Sequence, residues 1–130
     1  MIANNAELKP VPHLTVSYSP HAMILRSVGN EEPVTTVDLL VVRKAANVLR
    51  ALNHKLRQQM IALINEKKRI TVTELYVQMR LEQSVASQHL AVLRLAGLVK
   101  TEREGKYIYY CVDAERINEV GRLSAQLAAF

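Results

Sequence analysis

The 130-residue sequence contains one cysteine, Cys111, no tryptophan, and only four glycines and four prolines. A single cysteine excludes an internal disulfide framework and any zinc site built from several thiolates. The scarcity of glycine and proline excludes a chain dominated by linker or low-complexity sequence. No apolar run approaches the roughly 18 residues of a membrane span, and no signal-peptide pattern opens the chain. We therefore expect a soluble, cytoplasmic protein.

Positive charge is concentrated in the middle of the chain. The formal net charge is +5, yet residues 1–35 sum to −1 and residues 114–130 to zero. Residues 36–113 carry 13 lysines and arginines against seven acidic side chains. This excess points to a polyanionic partner for that segment, the alternative being ordinary solvated surface residues.

The pattern of apolar residues divides the chain into two parts. Residues 1–35 hold all four prolines, and their alternation of apolar and polar residues at 14–19 predicts a strand. A second strand at 22–28 makes this N-terminal arm a candidate β-hairpin. From Thr36 the period becomes helical, and residues 36–130 are predicted to form one domain of helices with a small hairpin.

Two short helices near the middle of the chain form a predicted helix-turn-helix. Asn53 is the expected N-cap of the helix before them. Thr71 and Glu74 match a capping box at the start of the first short helix, and Gly97 ends the second, at 84–97. In helix-turn-helix proteins the second helix enters the DNA major groove.

The predicted recognition helix has an outer face without acidic residues. Such a face can approach phosphates without repulsion and offer hydrogen bonds to base edges. It consists of Ser84, Ser87, Gln88, Ala91 and Arg94.

The next segment, 98–112, predicts two strands joined by a tight turn at Glu104–Gly105, which is the wing of a winged helix. Lys100, Arg103 and Lys106 surround that turn, where they can reach backbone phosphate. The fold class predicted is therefore mainly α with a small β-hairpin.

At this point the sequence resembles the ArsR/SmtB winged-helix transcriptional regulators. The resemblance is carried by ALNHKLRQQMIALI (51–64), TVTEL (71–75) and SVASQHLAVLRLAGLVKTEREGKYIYYCV (84–112). It implies a homodimer that binds operator DNA, usually as a repressor, and that pairs through its first and last helices.

The apolar character of those two helices agrees with that implication. The first helix is apolar on two sides, and the last carries no charge after Arg122. Large exposed apolar surfaces usually indicate association. The residues predicted for the dimer interface are Leu40, Val41, Val48, Ile117, Val120, Gly121 and Leu127.

The sequence departs from relatives that sense metals or sulfur species. Tyr76 and Gln78 stand where such relatives have a cysteine pair, and the last helix contains no histidine. The four histidines are scattered and form no spaced pair, so we predict no metal site and no cofactor. Cys111 has no second cysteine to react with, and an inert core residue is the alternative to an intersubunit disulfide.

Two basic residues have two interpretations each, and a third departs from the family pattern. His89 either bonds a phosphate or is packed inside the protein, and we include it among the DNA-binding candidates. Arg57 either contacts phosphate or forms an internal salt bridge. Arg80 occupies the turn between the two short helices, where relatives often have glycine.

A sequence-specific DNA-binding regulator acting as a homodimer on an inverted repeat is the leading hypothesis. The alternative is a winged-helix module that docks protein or RNA. An enzyme is not expected, because no phosphate loop, nucleophile with a base, or paired carboxylates are visible. For residues 1–35 three roles stay open, namely extending the dimer interface, covering a ligand pocket or staying disordered.

Overall fold

A computed structural model of the chain describes residues 14–29 and 32–129. The chain divides into two compact units, and the division falls between Lys44 and Ala45. The first unit is built on a small antiparallel sheet, and the second combines helices with another three-stranded sheet.

In the described part of the first unit, three antiparallel strands form a sheet in the order β1-β2-β3. These strands are Leu14–Tyr18, Ala22–Ser27 and Pro33–Asp38. The register places Val16 opposite Leu25 and Met23 opposite Val37. Since directly opposed residues share a face of the sheet, one face is largely apolar. The first two strands lie where the alternation predicts them.

The third strand corrects the predicted start of the first helix. The helical period predicts a helix from Thr36, but Thr36 lies in β3 and α1 runs from Leu39 to Leu52. Asp38 explains the boundary, because its Oδ1 accepts hydrogen bonds from the backbone N–H of Leu40 (2.9 Å) and Val41 (3.2 Å). An aspartate in this position is a helix N-cap, a signal that the apolar period alone does not contain.

The second unit has the predicted class, mainly α with a small sheet. Its further elements are α2 (Lys55–Lys67), β4 (Ile70–Thr71), α3 (Val72–Met79), α4 (Gln83–Leu95), β5 (Val99–Glu104), β6 (Tyr107–Val112) and α5 (Ala114–Ala128). The sheet order is β4-β6-β5, and the short strand β4, which the sequence did not predict, pairs Ile70 with Tyr110.

The core of this unit is aliphatic, as expected for a chain with little aromatic content. Its members come from α1 to α5, from strands β4 and β5 and from the turn after α4, so the helix-turn-helix and the wing share one core. The largest fully buried side chains are Met60, Ile64, Ile70, Leu75, Leu90, Leu93, Leu98 and Val99.

Two helix N-caps were predicted, and one of them moves by a residue. The cap of α2 is His54 and not Asn53, because the ring Nδ1 of His54 accepts from the Arg57 N–H at 3.4 Å. Thr71 caps α3 as predicted, and its Oγ1 accepts from the Glu74 N–H at 3.2 Å. The Thr71 hydroxyl also bonds Glu74 Oε1 at 3.1 Å, so the capping box closes through the two side chains.

Arg80 adopts the left-handed conformation in the turn between α3 and α4. Its φ is 56° and its ψ 45°, and its N–H donates to the carbonyls at the end of α3. The turn therefore has the backbone geometry that glycine adopts without strain, although this chain has arginine where relatives often have glycine.

The end of α4 forms a Schellman motif around Gly97, whose φ is 75°. The Gly97 N–H donates to the carbonyl of Arg94 at 3.0 Å, and the Leu98 N–H to that of Leu93 at 3.0 Å. Leu93 and Leu98 are both fully buried, which adds the hydrophobic contact typical of this motif. The predicted role of Gly97 is confirmed, although α4 ends at Leu95 and not at Gly97.

Candidate nucleic-acid interface

Helix α4 presents two different faces. Ala86, Leu90 and Leu93 are fully buried in the core, as the helical period predicts. The opposite side is exposed and holds the candidate DNA-binding residues Ser84, Ser87, Gln88 and Arg94, together with Ala91. No acidic residue occurs between Gln83 and Leu95, so this side can approach a polyanion without charge repulsion.

The wing presents the three predicted basic side chains in exposed positions. Lys100 and Arg103 lie on β5, and Lys106 lies in the turn that joins β5 to β6. The turn is centred on Gly105 and Lys106 and not on Glu104 and Gly105, since Glu104 pairs with Tyr107. Only Gly105 has a positive φ, 63°, which is the pattern of a type II′ hairpin.

Contacts within the hairpin orient two of these side chains. The Arg103 Nε–H donates to the carbonyl of Gly105 at 3.2 Å. Lys106 Nζ lies 5.4 Å from the centre of the Tyr107 ring. Both cationic groups therefore stay near the tip of the wing, where they are accessible to a phosphate.

Arg69 fixes the position of the wing through contacts that no local sequence pattern indicates. Its guanidinium pairs with the carboxylate of Glu104 and lies 4.0 Å from the centre of the Tyr109 ring. The Glu104 contact raises the pKa of Arg69. Tyr109 is opposite Thr71 in the sheet, so the contact follows from a strand, β4, that the sequence did not predict.

His89 lies on α4 between the buried and the exposed sides. Its ring centre is 4.9 Å from that of His54, and its Nδ1 is 3.2 Å from Arg57 NH1. Partial burial, then the neighbouring His54 and Arg57, lower the pKa of His89 below its ordinary value. His54 and His89 are therefore neighbours in the fold, although they are far apart in the sequence.

Arg57 is buried, which corrects both of its predicted interpretations. Its side chain donates to the backbone carbonyls of Ala51 (Nε, 2.7 Å) and Arg50 (NH2, 3.0 Å) at the end of α1. It is 9% exposed, and no acidic side chain in residues 14–29 and 32–129 forms an ion pair with it. Its role is to hold α1 against α2 and α4.

Cys111 is a partly buried strand residue. Its Sγ lies 3.6 Å from the Lys100 carbonyl and 3.9 Å from Glu102 Oε1. Burial, followed by the charge of Glu102, raises the pKa of the Cys111 thiol. Both effects disfavour the thiolate, which is the reactive form.

The positions that relatives use for metals carry other chemistry. Tyr76 is partly buried against the core, and Gln78 is exposed. On the last helix, Glu119 lies 3.8 Å from Arg116. Among the residues that the structure describes, no three His, Cys, Asp or Glu side chains are grouped so that they could hold a metal ion.

An apolar groove of about 170 Å³ runs between the second half of α1 and α5. It is lined by Ala45, Val48, Leu49, Arg116, Val120, Leu123, Ser124 and Leu127. Leu127 at its edge is 73% exposed, whereas Val120 is 4% exposed and belongs to the core of the same chain. The exposed rim of this groove is therefore the surface that a partner can cover.

The residues predicted for a dimer interface differ in their accessibility. Leu40 and Val41 are exposed on the first turns of α1, and Gly121 is exposed with open space beside it. Val48 and Ile117 are partly buried against the core of their own chain. Val120 offers little surface to a partner, because the core of its own chain already buries it.

Comparison with known proteins agrees with this geometry. The profile described as "Bacterial regulatory protein, arsR family" matches residues 54–101, from the N-cap of α2 into the wing. The chain is 33% identical to the uncharacterized HTH-type transcriptional regulator YbzH of Bacillus subtilis, over 56% of this chain and 87% of YbzH. It is 32% identical to the transcriptional activator HlyU of Vibrio cholerae, over 65% of this chain and 77% of HlyU.

The chain belongs to the ArsR family. The family's helix-turn-helix regulators bind double-stranded DNA, and the winged-helix fold of this ArsR-family chain is also that of PagR, a transcriptional repressor of Bacillus anthracis. The two structures superpose with a TM-score of 0.53 at 25% identity, over 66% of this chain and 99% of PagR. About a third of this ArsR-family chain thus has no counterpart in PagR. Within residues 14–29 and 32–129, no helix is both long enough and apolar enough to cross a membrane.

Proposed function

We propose that this ArsR-family chain is a sequence-specific DNA-binding transcriptional repressor that acts as a homodimer on an inverted-repeat operator. The observation that carries the proposal is the exposed, acid-free side of α4. Ser84, Ser87 and Gln88 lie near the start of that helix, the part of a recognition helix that contacts base edges. A repressor is favoured by the resemblance to PagR, whereas HlyU is named an activator.

We assign different roles to the helix and the wing. Gln88 can form two hydrogen bonds with an adenine edge, so its side chain contributes sequence preference. Arg94 contacts a base or an adjacent phosphate. Lys100, Arg103 and Lys106 neutralise phosphates and contribute affinity for any sequence.

The homodimer is supported by the apolar groove between α1 and α5. Its rim residues Leu123 and Leu127 are 45% and 73% exposed, and large apolar patches are uncommon on monomers. A two-fold dimer repeats α4 at a distance of roughly 34–36 Å, one turn of DNA, and thereby requires an inverted repeat.

A gel-shift assay with the DNA upstream of the chain's own gene tests the proposal. We expect a shifted band that random DNA displaces poorly, and a footprint with two-fold symmetry. A folded dimer that shifts no DNA at low salt would overturn the proposal and favour the protein- or RNA-docking module.

Two substitutions separate the proposed roles. Gln88→Ala is expected to lose the preference for the operator, at about 1–3 kcal/mol, while its affinity for random DNA is retained. Lys106→Ala is expected to weaken binding to every sequence and to lower the slope of log K against log salt by about one. Equal losses on operator and random DNA for both variants would contradict this division.

A further inference from the structure

The Arg57 guanidinium connects the end of α1 to the recognition helix. Two of its nitrogens donate to the carbonyls of Ala51 and Arg50, at 2.7 and 3.0 Å, and the third faces His89 Nδ1 at 3.2 Å. The orientation of the planar guanidinium is fixed, because each of its three nitrogens has a partner and the residue is 9% exposed.

This contact determines which nitrogen of His89 carries the proton. A guanidinium has only N–H donors and no acceptor, so the Nδ1 that faces it must accept. In a neutral imidazole one nitrogen accepts and the other donates, and therefore Nε2 carries the proton. Burial, followed by the neighbouring His54 and Arg57, lowers the pKa of His89, and this favours the neutral ring.

Nε2 of His89 has no hydrogen-bond partner among the residues that the structure describes. The ring is partly exposed, on the helix that carries Ser84, Ser87 and Gln88. The ring of His54, tilted by 50° at 4.9 Å, packs beside it and restricts its rotation. The ring is thus partly exposed and held by two neighbours, and its Nε2–H donor is not used by any described residue.

We propose that Arg57 is a positioning residue for DNA binding, which holds the His89 ring so that its Nε2–H donates to a backbone phosphate. The inference rests on the proposed DNA-binding function and adds a residue that does not itself touch DNA. A donor fixed in advance loses less conformational entropy on binding than a free side chain does.

The first test reads the His89 ring in the free full-length protein. Long-range ¹H–¹⁵N NMR, at a pH well above the pKa of the ring, is expected to show the Nε2–H tautomer. Arg57→Met is expected to give a mixture of both tautomers. Gln58→Ala is the matched control, since Gln58 also donates to the end of α1, at 2.9 Å from the Leu52 carbonyl, without touching His89. The proposal is overturned if the parent protein shows the Nδ1–H tautomer. It is also overturned if Arg57→Met shows the same tautomer population as the parent protein.

The second test measures affinity for a mixed-sequence DNA duplex at low salt. His89→Gln extends an amide donor towards the Nε2 position, whereas His89→Asn ends near Nδ1. We expect the Gln variant to bind about tenfold more tightly than the Asn variant, the effect of one hydrogen bond to a charged group. Equal affinities would overturn the proposed phosphate contact.

A double substitution separates positioning from structural support. Arg57→Met is expected to weaken binding about tenfold in the parent protein and to have little effect in the His89→Asn background. An equal loss in both backgrounds would assign Arg57 a purely structural role. If Arg57→Met does not fold, the proposal is still tested by the tautomer of the parent protein and by the affinities of His89→Gln and His89→Asn. If the parent protein binds no DNA, the proposed function fails, while the tautomer measurement still tests the Arg57 contact.

Discussion

Replacing Arg80 with glycine is expected to stabilise the protein. Arg80 has left-handed backbone angles (φ 56°, ψ 45°), which cost an ordinary residue about 1–2 kcal/mol. Its side chain is exposed and makes no hydrogen bond or ion pair with any residue that the structure describes, so its removal sacrifices no polar contact there. Glycine is also freer in the unfolded chain, which offsets about 0.4–1 kcal/mol. The net gain in the free energy of unfolding is about 0.5–1 kcal/mol.

Urea unfolding followed by circular dichroism measures this gain, at one fixed protein concentration because the proposed dimerisation would shift the apparent stability. Arg80→Ala is the first control, since it removes the same side chain and keeps the strain. Gln78→Gly is the second, and it should lose about 1 kcal/mol as an exposed glycine within α3. If Arg80→Gly is no more stable than Arg80→Ala, the strain assigned to this turn does not exist.

Three further predictions follow from local geometry. Gly97→Ala should lower the free energy of unfolding by more than Gly105→Ala does. Both glycines have positive φ, but only at position 97 does the added Cβ meet a neighbour, Arg116 Nε at 3.3 Å. Equal losses of stability in urea would contradict this prediction. Cys111 should react with iodoacetamide more slowly than a free thiol, because burial raises its pKa; fast alkylation of the folded protein would refute it. Because the pKa of His89 is lowered, the folded state binds fewer protons, so stability should fall as the pH drops below about 6.5. His89→Gln should weaken that dependence in pH-dependent thermal melts, and an identical profile would count against it.

The elements of the helix-turn-helix were predictable because local signals mark their ends. The capping box of Thr71 and Glu74 predicts the start of α3, and Gly97 predicts the end of α4. The buried stripe Ala86, Leu90, Leu93 follows from helical spacing alone. These signals lie within a few residues of one another in the sequence, so they need no knowledge of the fold.

What the sequence did not predict depends on contacts between distant residues. Strand β4 is two residues long, and it exists only because it pairs with β6. Arg57 and His89 are 32 residues apart, and Arg69 and Glu104 are 35 apart, so neither contact has a local pattern. At the start of α1 the local signal, Asp38, was present, but the apolar period of the helix extended across it.

Of the candidate site, the exposed residues of α4 and the wing lie where helical and strand periodicity place them. The residues of the predicted dimer interface were harder to assign, because periodicity shows that a residue is apolar without showing which neighbour covers it. Val120 is the example, since the core of its own chain buries it.

The Schellman motif at Gly97 has a consequence for the thermodynamics of binding. Leu98, which closes that motif, also accepts from the Asp113 N–H at 3.0 Å, so the end of α4, the start of β5 and the end of β6 are tied at one point. The recognition helix and the base of the wing are thus already ordered relative to each other before any ligand arrives. Association then requires little ordering of the backbone, and its unfavourable entropy should be small for a DNA-binding protein of this size.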